Sequence, residues 1–375
     1  MHIFLDINAS EWTDTEKNTI ADKCKRGKKC RMEHSKNTHV SKTDSTRHSS
    51  ARPTLKTIAE ISGFAVQTVS RALSDAPDIS AKTKKTVREI ADRIGYVPDR
   101  AGVRLRTGKT NVVNLVLATD QDVLSLTSRL ISSIAGGLRG TRYNLVVSPE
   151  HPDDDPMTVV RNIVNNRAAD VIILNRIQPE DQRVRFLMDA GFPFVTHGRT
   201  VWSDQHAYFD YDNKLFGMMA INKLVERGRK RILVLLPPID QSYAQQIKSG
   251  AETAAENHKI ELIFSDGIDS DDPTDEIRDY IAQFAHGSKR IDGLVTASQN
   301  ATMAAVAGLE SEGVLLGKQI DVFSKEIAPI LHLFRPEIIS TREDVVRAGM
   351  FLAKAALQSV EHPKERPMQG LDQPQ

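Results

Sequence analysis

Between residues 54 and 97 apolar positions recur at helical spacing three times. Ile58, Ala59, Ile61 and Phe64 make the first stripe, in a helix opened by Thr54 as N-cap and broken at Gly63. Val66, Val69, Ala72 and Leu73 make the second, with Val66, Val69 and Leu73 expected to point inward. That phase leaves Gln67, Ser70, Arg71 and Ser74 facing outward. After a turn-prone stretch at 74–77, Ser80 caps a third helix carrying Val87, Ile90, Ala91 and Ile94, ended by Gly95. Two short helices around a glycine-containing turn, with a third behind them, follow the helix-turn-helix plan. From residue 110 the pattern changes. Short β-rich runs at 112–118, 145–148, 171–174, 193–196, 232–236, 260–264, 293–296, 320–323 and 338–340 alternate with helical stretches. Strands alternating with helices predict parallel sheets, and nine strands over this length fit two doubly wound subdomains better than one sheet. The fold class expected is therefore an all-α headpiece joined to an α/β core.

Residues 1–50 have no such periodicity and read as a disordered polar extension. They hold both cysteines, Cys24 and Cys30, so no disulfide framework is expected elsewhere. Cys24, Cys30 and His34 match no common zinc spacing, and no metal is expected. Met32 offers an alternative start. The domain boundaries expected are 1–50 for the extension, 51–98 for the headpiece, 99–109 for a hinge, and 110–375 for the core, with a first crossover between lobes near 208–212.

Charge sharpens this division. The net charge of +1 hides +3 in residues 1–50, +6 in 51–109 and −8 in 110–375. A small basic module on a large acidic one predicts a polyanion partner for the first only. No apolar run reaches the roughly 20 residues that cross a bilayer, and the N-terminus lacks the pattern of an export signal. A cytoplasmic location is expected, with no membrane partner.

Enzyme chemistry finds little support. No GxGxxG follows a strand into a helix, and HExxH, GxSxG and a core cysteine nucleophile are all missing. The run from Gly313 to Gln319 is one residue short of a phosphate loop and lacks its Ser or Thr. Asp153, Asp154 and Asp155 precede Pro156, where they suit a helix N-terminus better than a metal. No catalytic residue and no cofactor are expected.

The second helix carries groups suited to DNA. Gln67 and Arg71 can make bidentate contacts with base edges, and Ser70 and Ser74 can reach bases or phosphates. The chain here resembles the DNA-binding headpiece and hinge of the lactose/galactose repressor family. The likeness rests on Ala59 and Gly63 of the turn, on Thr68, Val69, Ser70 and Arg71 of the recognition helix, and on Ser80 with Thr83. It continues through Gly95, Tyr96, Val97, Pro98 and Asp99, and through Arg100 and Leu105 ahead of Thr107 and Gly108. It extends over the core, which resembles that family's periplasmic-binding-protein-like domain. The core pattern alone fits a transport receptor equally well; the headpiece separates the two.

The resemblance implies roles. Thr54 and Leu55 would meet phosphate at the first helix, and Gln67, Thr68, Ser70, Arg71 and Ser74 would read bases and clamp the backbone. Ser80 and Thr83 would hold phosphate at the third helix N-terminus. Tyr96 and Arg100 would contact the DNA backbone, and Leu105 would wedge into the minor groove. Ala65 and Asp99 depart from the family's usual hydroxyl residue and Asn. The hinge, too short for an isolated helix and carrying Gly102, would order only when two copies meet on DNA. A homodimer on double-stranded operator DNA, acting as a repressor, is the implied assembly.

Polar residues at predicted strand ends are the effector candidates: Asp120, Arg176, His197, Arg199, Asp210, Ser298 and Gln299. Glu326 joins them, standing where the family has a ligand-binding Asp. The segment from Tyr243 to Lys248 lacks the Arg that the family often has there, and Ser298 replaces a frequent Asn. The Thr-His-Gly-Arg run at 196–199 and the Ser-Lys-Glu loop at 324–326 resemble a branch associated with α-glucoside or α-galactoside use, which implies a sugar effector.

Overall fold

The computed structural model describes residues 53–97, 102, 104, 108–118, 124–151 and 154–374. The polar extension, with Cys24, Cys30, Met32 and His34, lies outside the described residues, as do Asp99, Arg100, Leu105, Asp120 and Asp153. The chain divides between Val97 and Pro98 into two compact units.

The first unit is helical. Helices α1 (Leu55–Ser62), α2 (Val66–Leu73) and α3 (Ala81–Arg93) enclose a small core of Ile58, Val69, Ala72, Val87, Ile90 and Ala91. Thr54 and Thr57 cap α1 reciprocally, and Gly63 ends it in the left-handed region at φ 73°. Ser80 caps α3 through the Thr83 amide. Two residues expected inside are not: Val66 is 42% exposed and Ile61 46% exposed. Val69 and Ala72 supply the buried face of α2 instead.

The second unit holds two parallel sheets. The first contains β1 (Val112–Ala118), β2 (Asn144–Glu150), β3 (Val171–Leu174), β4 (Phe194–His197), β5 (Ala207–Tyr211) and β11 (Gln369–Asp372), in the order β11-β5-β4-β3-β1-β2. The second contains β6 (Arg231–Leu235), β7 (Glu261–Phe264), β8 (Gly293–Thr296), β9 (Asp321–Glu326) and β10 (Ile339–Arg342), in the order β10-β9-β8-β6-β7. The sequence pattern misses β5 and β11. They pair with each other at the edge of the first sheet, and Asp212 N–H donates to the Asp372 carbonyl just beyond them.

Both sheets are covered on both faces, as parallel sheets require. In β1, Val113, Leu115 and Leu117 face α4 (Leu124–Gly137) and α12 (Val345–Glu361), while Val116 faces α5 (Pro156–Asn165) and α6 (Gln182–Asp189). In β6, Ile232 and Val234 face α7 (Asn213–Glu226) and α8 (Ser242–His258). Leu233 and Leu235 face α9 (Thr274–Ala282) and α10 (Gln299–Ser311). Short helix α11 (Leu331–Phe334) lies between β9 and β10. The chain passes to the second sheet between Tyr211 and Asn213 and returns between Arg342 and Val345. Helices α7 and α8 meet through Gly217 and Gly250; a Cβ on either would collide with the carbonyl of Ile247 or Lys214.

Two other motifs resolve as local structure. Asp155 caps α5, its carboxylate accepting the Met157 N–H. The segment from Gly313 to Gln319 is a turn in which the Gln319 amide oxygen accepts the Leu315 N–H and the Ile320 carbonyl accepts the Gly317 N–H.

Candidate DNA interface and effector cleft

On the headpiece, Gln67, Arg71 and Ser74 are exposed and Ser70 and Thr68 half-buried. The second helix thus presents a polar face beside its buried Val69 and Ala72. Arg71 pairs with Asp78, whose carboxylate raises the Arg71 pKa above its ordinary value. Ser74 donates to the carbonyls of Ser70 and Arg71, so its hydroxyl holds the helix end. Thr54 and Ser80 are exposed caps; Leu55, Thr83 and Tyr96 are half-buried. Around them Lys84 and Arg88 pair with Asp75. In the segment expected as a hinge, Gly102 and Arg104 are helical, and Arg104 donates to the Asn166 carbonyl at 2.8 Å.

In the second unit, the C-terminal ends of strands from both sheets enclose a cavity of about 160 Å³. That is on the order of ten times the space one water needs. Arg176, His197, Asp210, Ser298 and Gln299, all expected from the sequence, line it. Arg199 does not. It stands behind Asp210, donating to that carboxylate at 2.7 Å and to the Gln246 amide oxygen at 2.9 Å. Glu326 does not line it either. It is buried, with one oxygen accepting the Leu331 N–H and the other the Ser340 hydroxyl. Strand alternation sends its neighbour Lys325 to the cavity in its place.

The cavity also gathers residues that sequence reasoning passed over, among them Asn175, Asn213, Ser242, Asp271, Lys325 and Glu343. Lys325 meets Glu343 at 2.7 Å and the Asn213 side-chain oxygen at 3.2 Å, with its ammonium 5.0 Å from the Tyr211 ring centre. Burial pushes the Glu343 carboxyl up, but Lys325 and His197 outweigh it and hold it below its ordinary value. Arg176 meets Asp271 at 3.0 Å, joining the two lobes across the cleft. Gln178 to Asp240 (2.7 Å) and the Ser242 N–H to the Ile177 carbonyl (2.8 Å) make further links. Asp210, 5% exposed, has a pKa raised to about 6 by burial against the pull of Arg199. Burial lowers the His197 pKa, and its Nδ1 lies 3.3 Å from the Asn175 side-chain oxygen.

Arg176 occupies φ 53°, which costs energy for a residue with a side chain. Buried Arg183 holds it there. Its guanidinium donates to the Asn175 and Arg176 carbonyls at 3.2 and 2.8 Å, and is neutralised by Asp181 and Glu150. Gln299 serves similarly, its amide bonding the Ile327 N–H and the Ala328 carbonyl. Ser298 caps α10. Most polar side chains of the walls are therefore fixed in place by partners, with each carboxylate matched to a cation. Among the described residues no group of three or more His, Cys, Asp or Glu is placed to hold a metal ion, and no helix is long and apolar enough to cross a membrane.

Comparison with known proteins decides what this arrangement is. Residues 54–99 match the model of bacterial regulatory proteins of the lacI family, and residues 140–329 match a periplasmic binding protein domain. The chain belongs to the lacI family. This lacI-family chain is 24% identical over 329 residues to the HTH-type transcriptional regulator AglR of Rhizobium meliloti (strain 1021), covering 84% of this chain and 90% of the relative. Its fold is that of a transcriptional regulator CelR–cellobiose complex, with TM-score 0.61, 20% identity, and 86% and 98% of the two chains covered. It is also that of a lac repressor dimer bound to operator and the anti-inducer ONPF, with TM-score 0.73, 17% identity, and 86% and 97% covered. The protein is accordingly a DNA-binding transcriptional regulator, with a helical headpiece and an α/β core.

Proposed function

We propose that this regulator is a repressor, acting as a homodimer on operator DNA and released or tightened by a neutral sugar held in the cleft. The observation that carries the effector half is the lining of the cavity. Arg176 with Asp271, Lys325 with Glu343, and Arg199 with Asp210 set three ion pairs around it, leaving no surplus charge for an ionic ligand. A polyhydroxylated molecule suits such walls because each hydroxyl both donates and accepts. The solved CelR relative is a complex with cellobiose, which agrees in chemistry.

The DNA half rests on the exposed groups of α2. Gln67, Ser70 and Arg71 enter or border the major groove, while Thr54, Leu55, Thr68, Ser74, Ser80, Thr83, Tyr96 and Arg100 serve the phosphates. Leu105 opens the minor groove at the operator centre. A single headpiece contacts too little DNA for useful specificity, which favours two chains on a palindromic site. The chain carries out no catalysis in this reading and works in the cytoplasm. Within the cleft, Asp210, His197, Arg176, Ser298, Lys325 and Glu343 face the sugar, and Asp120 is a further contact in this reading. Arg199, Gln299 and Glu326 support them without lining or by bracing loops.

The test is a titration of the full chain with a palindromic duplex, with and without methyl α-glucoside, methyl α-galactoside and cellobiose. One sugar should change operator affinity at least fivefold. Affinity unmoved by every sugar that binds the core would refute the repressor–sugar reading.

A further inference from the structure

The headpiece carries, beside its outward-facing helix, a group ill suited to a polyanion. Asp78 stands exposed in the loop between α2 and α3, with its carboxylate 2.5 Å from Nη2 of Arg71 on α2. The two side chains are 48% and 53% exposed, Arg71 first, and a pair so open to water adds little to stability. The loop itself is secured by other means. The Ala76 N–H donates to the Arg71 carbonyl and the Ile79 N–H to the Ala76 carbonyl, while the Asp75 carboxylate meets Lys84 and Arg88 of α3, each at 3.0 Å. Asp75 thus ties the loop back to α3. Asp78 reaches instead to the helix whose outer face carries Gln67 and Arg71. Its bond to Arg71 holds the Asp78 carboxyl below its ordinary value, so it is ionised at neutral pH.

We propose that Asp78 is a specificity-determining residue for operator DNA: it holds the Arg71 guanidinium in place to read a guanine edge and repels the phosphates that would otherwise compete for it. The inference rests on the reading of Arg71 as a base-contacting residue and adds Asp78 to it. A guanidinium has several N–H donors in a rigid plane, and Asp78 engages one at Nη2. The rest suffice for the O6 and N7 acceptors of guanine, so on that base the ion pair and the base contact coexist. Holding the long Arg71 side chain beforehand also removes part of the entropy that the contact would cost. A phosphate drawn to Arg71 meets the Asp78 carboxylate as a like charge, which disfavours nonspecific and misplaced contacts.

Selection tests this. The full chain is offered a pool of duplexes whose palindromic half-sites are randomised, and affinities are then measured at fixed salt for the selected duplex and a scrambled one. Parent, Asp78→Asn, Asp75→Asn and Arg71→Ala are compared, with melting as the control for folding. Asp75→Asn removes the same charge from the same loop but releases Lys84 and Arg88 instead of Arg71. Asp78→Asn should melt with the parent, bind the scrambled duplex as tightly or more tightly, and bind the selected duplex more weakly. The ratio of the two affinities should fall at least about fivefold, the lower end for one bidentate base contact. Its base preference should relax at the position that Arg71→Ala relaxes, while Asp75→Asn keeps the parent's ratio. A ratio that Asp78→Asn leaves unchanged, or that Asp75→Asn lowers as far, shows a bulk charge effect and overturns the proposal, leaving Arg71 as a base reader. A large drop in the melting temperature of Asp78→Asn assigns the residue to the headpiece fold and overturns it too. Uniform weakening on both duplexes by Arg71→Ala overturns the base-reading role and Asp78 with it, and a parent that enriches no sequence overturns operator recognition altogether.

Discussion

The headpiece and the core solve opposite problems with their polar groups. Among the described residues, the headpiece buries six apolar side chains firmly and turns Gln67, Arg71 and Ser74 outward on one short helix. The core has four apolar clusters and uses that rigidity to bring buried charges such as Lys325, Glu343 and Asp210 to a cavity. Desolvating those charges is costly, so each has a partner. A surface that meets a large polyanion gains from exposed cations arranged on one contiguous motif. A pocket that meets a small uncharged molecule gains from side chains that cannot move, and these come from many strands.

The largest effect tests the core side. Arg183→Ala leaves Asp181 and Glu150 without their cation and frees the Asn175 and Arg176 carbonyls. The core should lose about 3–5 kcal/mol, read as a lower denaturant midpoint. Effector affinity should fall with it, because Arg176 is no longer held in its strained conformation. A near-neutral result would show that the network is not what positions the cleft.

Next comes the headpiece. Ile58→Ala removes a fully buried side chain from its small core, at a cost of about 2–5 kcal/mol. A unit with so little apolar core should unfold, abolishing operator binding. Calorimetry should show the transition of the core unmoved, with sugar binding retained. Loss of both activities together would contradict the separation.

A smaller effect is expected at Arg71. Its exposed guanidinium pairs with Asp78 in the free chain and is available to exchange that partner for DNA. Arg71→Ala should weaken operator binding by about 1–3 kcal/mol if the residue reads a base, with specificity relaxed at one position. A flatter salt dependence with uniform weakening would assign it to phosphate.

The smallest effect is a pH dependence of the effector. Asp210 titrates at about 6, so lowering the pH from 7.5 to 5.5 removes an acceptor from most molecules. Sugar affinity should drop about fourfold, the change in ionised fraction for such a group. Asp210→Asn should bind weakly at both values, which separates this carboxyl from His197 nearby. The linkage to folding has the opposite sense. A carboxyl raised above its unfolded value favours the fold most below that value, near 4, and that contribution is lost as pH rises through about 6.

The headpiece was legible because its information is local. Gly63 and Gly95 take the positive φ that helix ends need, Ser80 and Thr54 cap, and the stripe through Val69 and Ala72 has helical period. Its two errors, Val66 and Ile61, are apolar residues that helical spacing assigns inward and that stay exposed. In the core, β5 was missed because Asp210 interrupts its apolar run, while the other strands buried on both faces read clearly. Strand β11 did not, because Gln369, Gly370 and Asp372 have low strand preference and form a strand only by pairing with β5. The cleft was half legible. Polar residues just after strands, Arg176, His197, Ser298 and Gln299, could be picked out by position. Glu326 and Lys325 could not be told apart, since every residue of β9 is buried and no alternation of polarity marks which face is which. Glu343 and Ser242 reach the cavity only through the return crossover and the seating of α8, which no local pattern encodes.

The central claim is that an exposed DNA-reading face and a buried, charge-balanced cleft on one chain are energetically coupled. The most direct measurement is operator affinity of the full chain, by fluorescence anisotropy at fixed salt, across a titration with the sugar that calorimetry finds to bind best, for the parent and for Asp210→Asn. The account predicts at least a fivefold change in parent operator affinity as the sugar saturates. For Asp210→Asn it predicts the same sugar-free operator affinity and a response displaced to higher sugar concentration. A parent whose operator affinity stays constant while its cleft fills would contradict it.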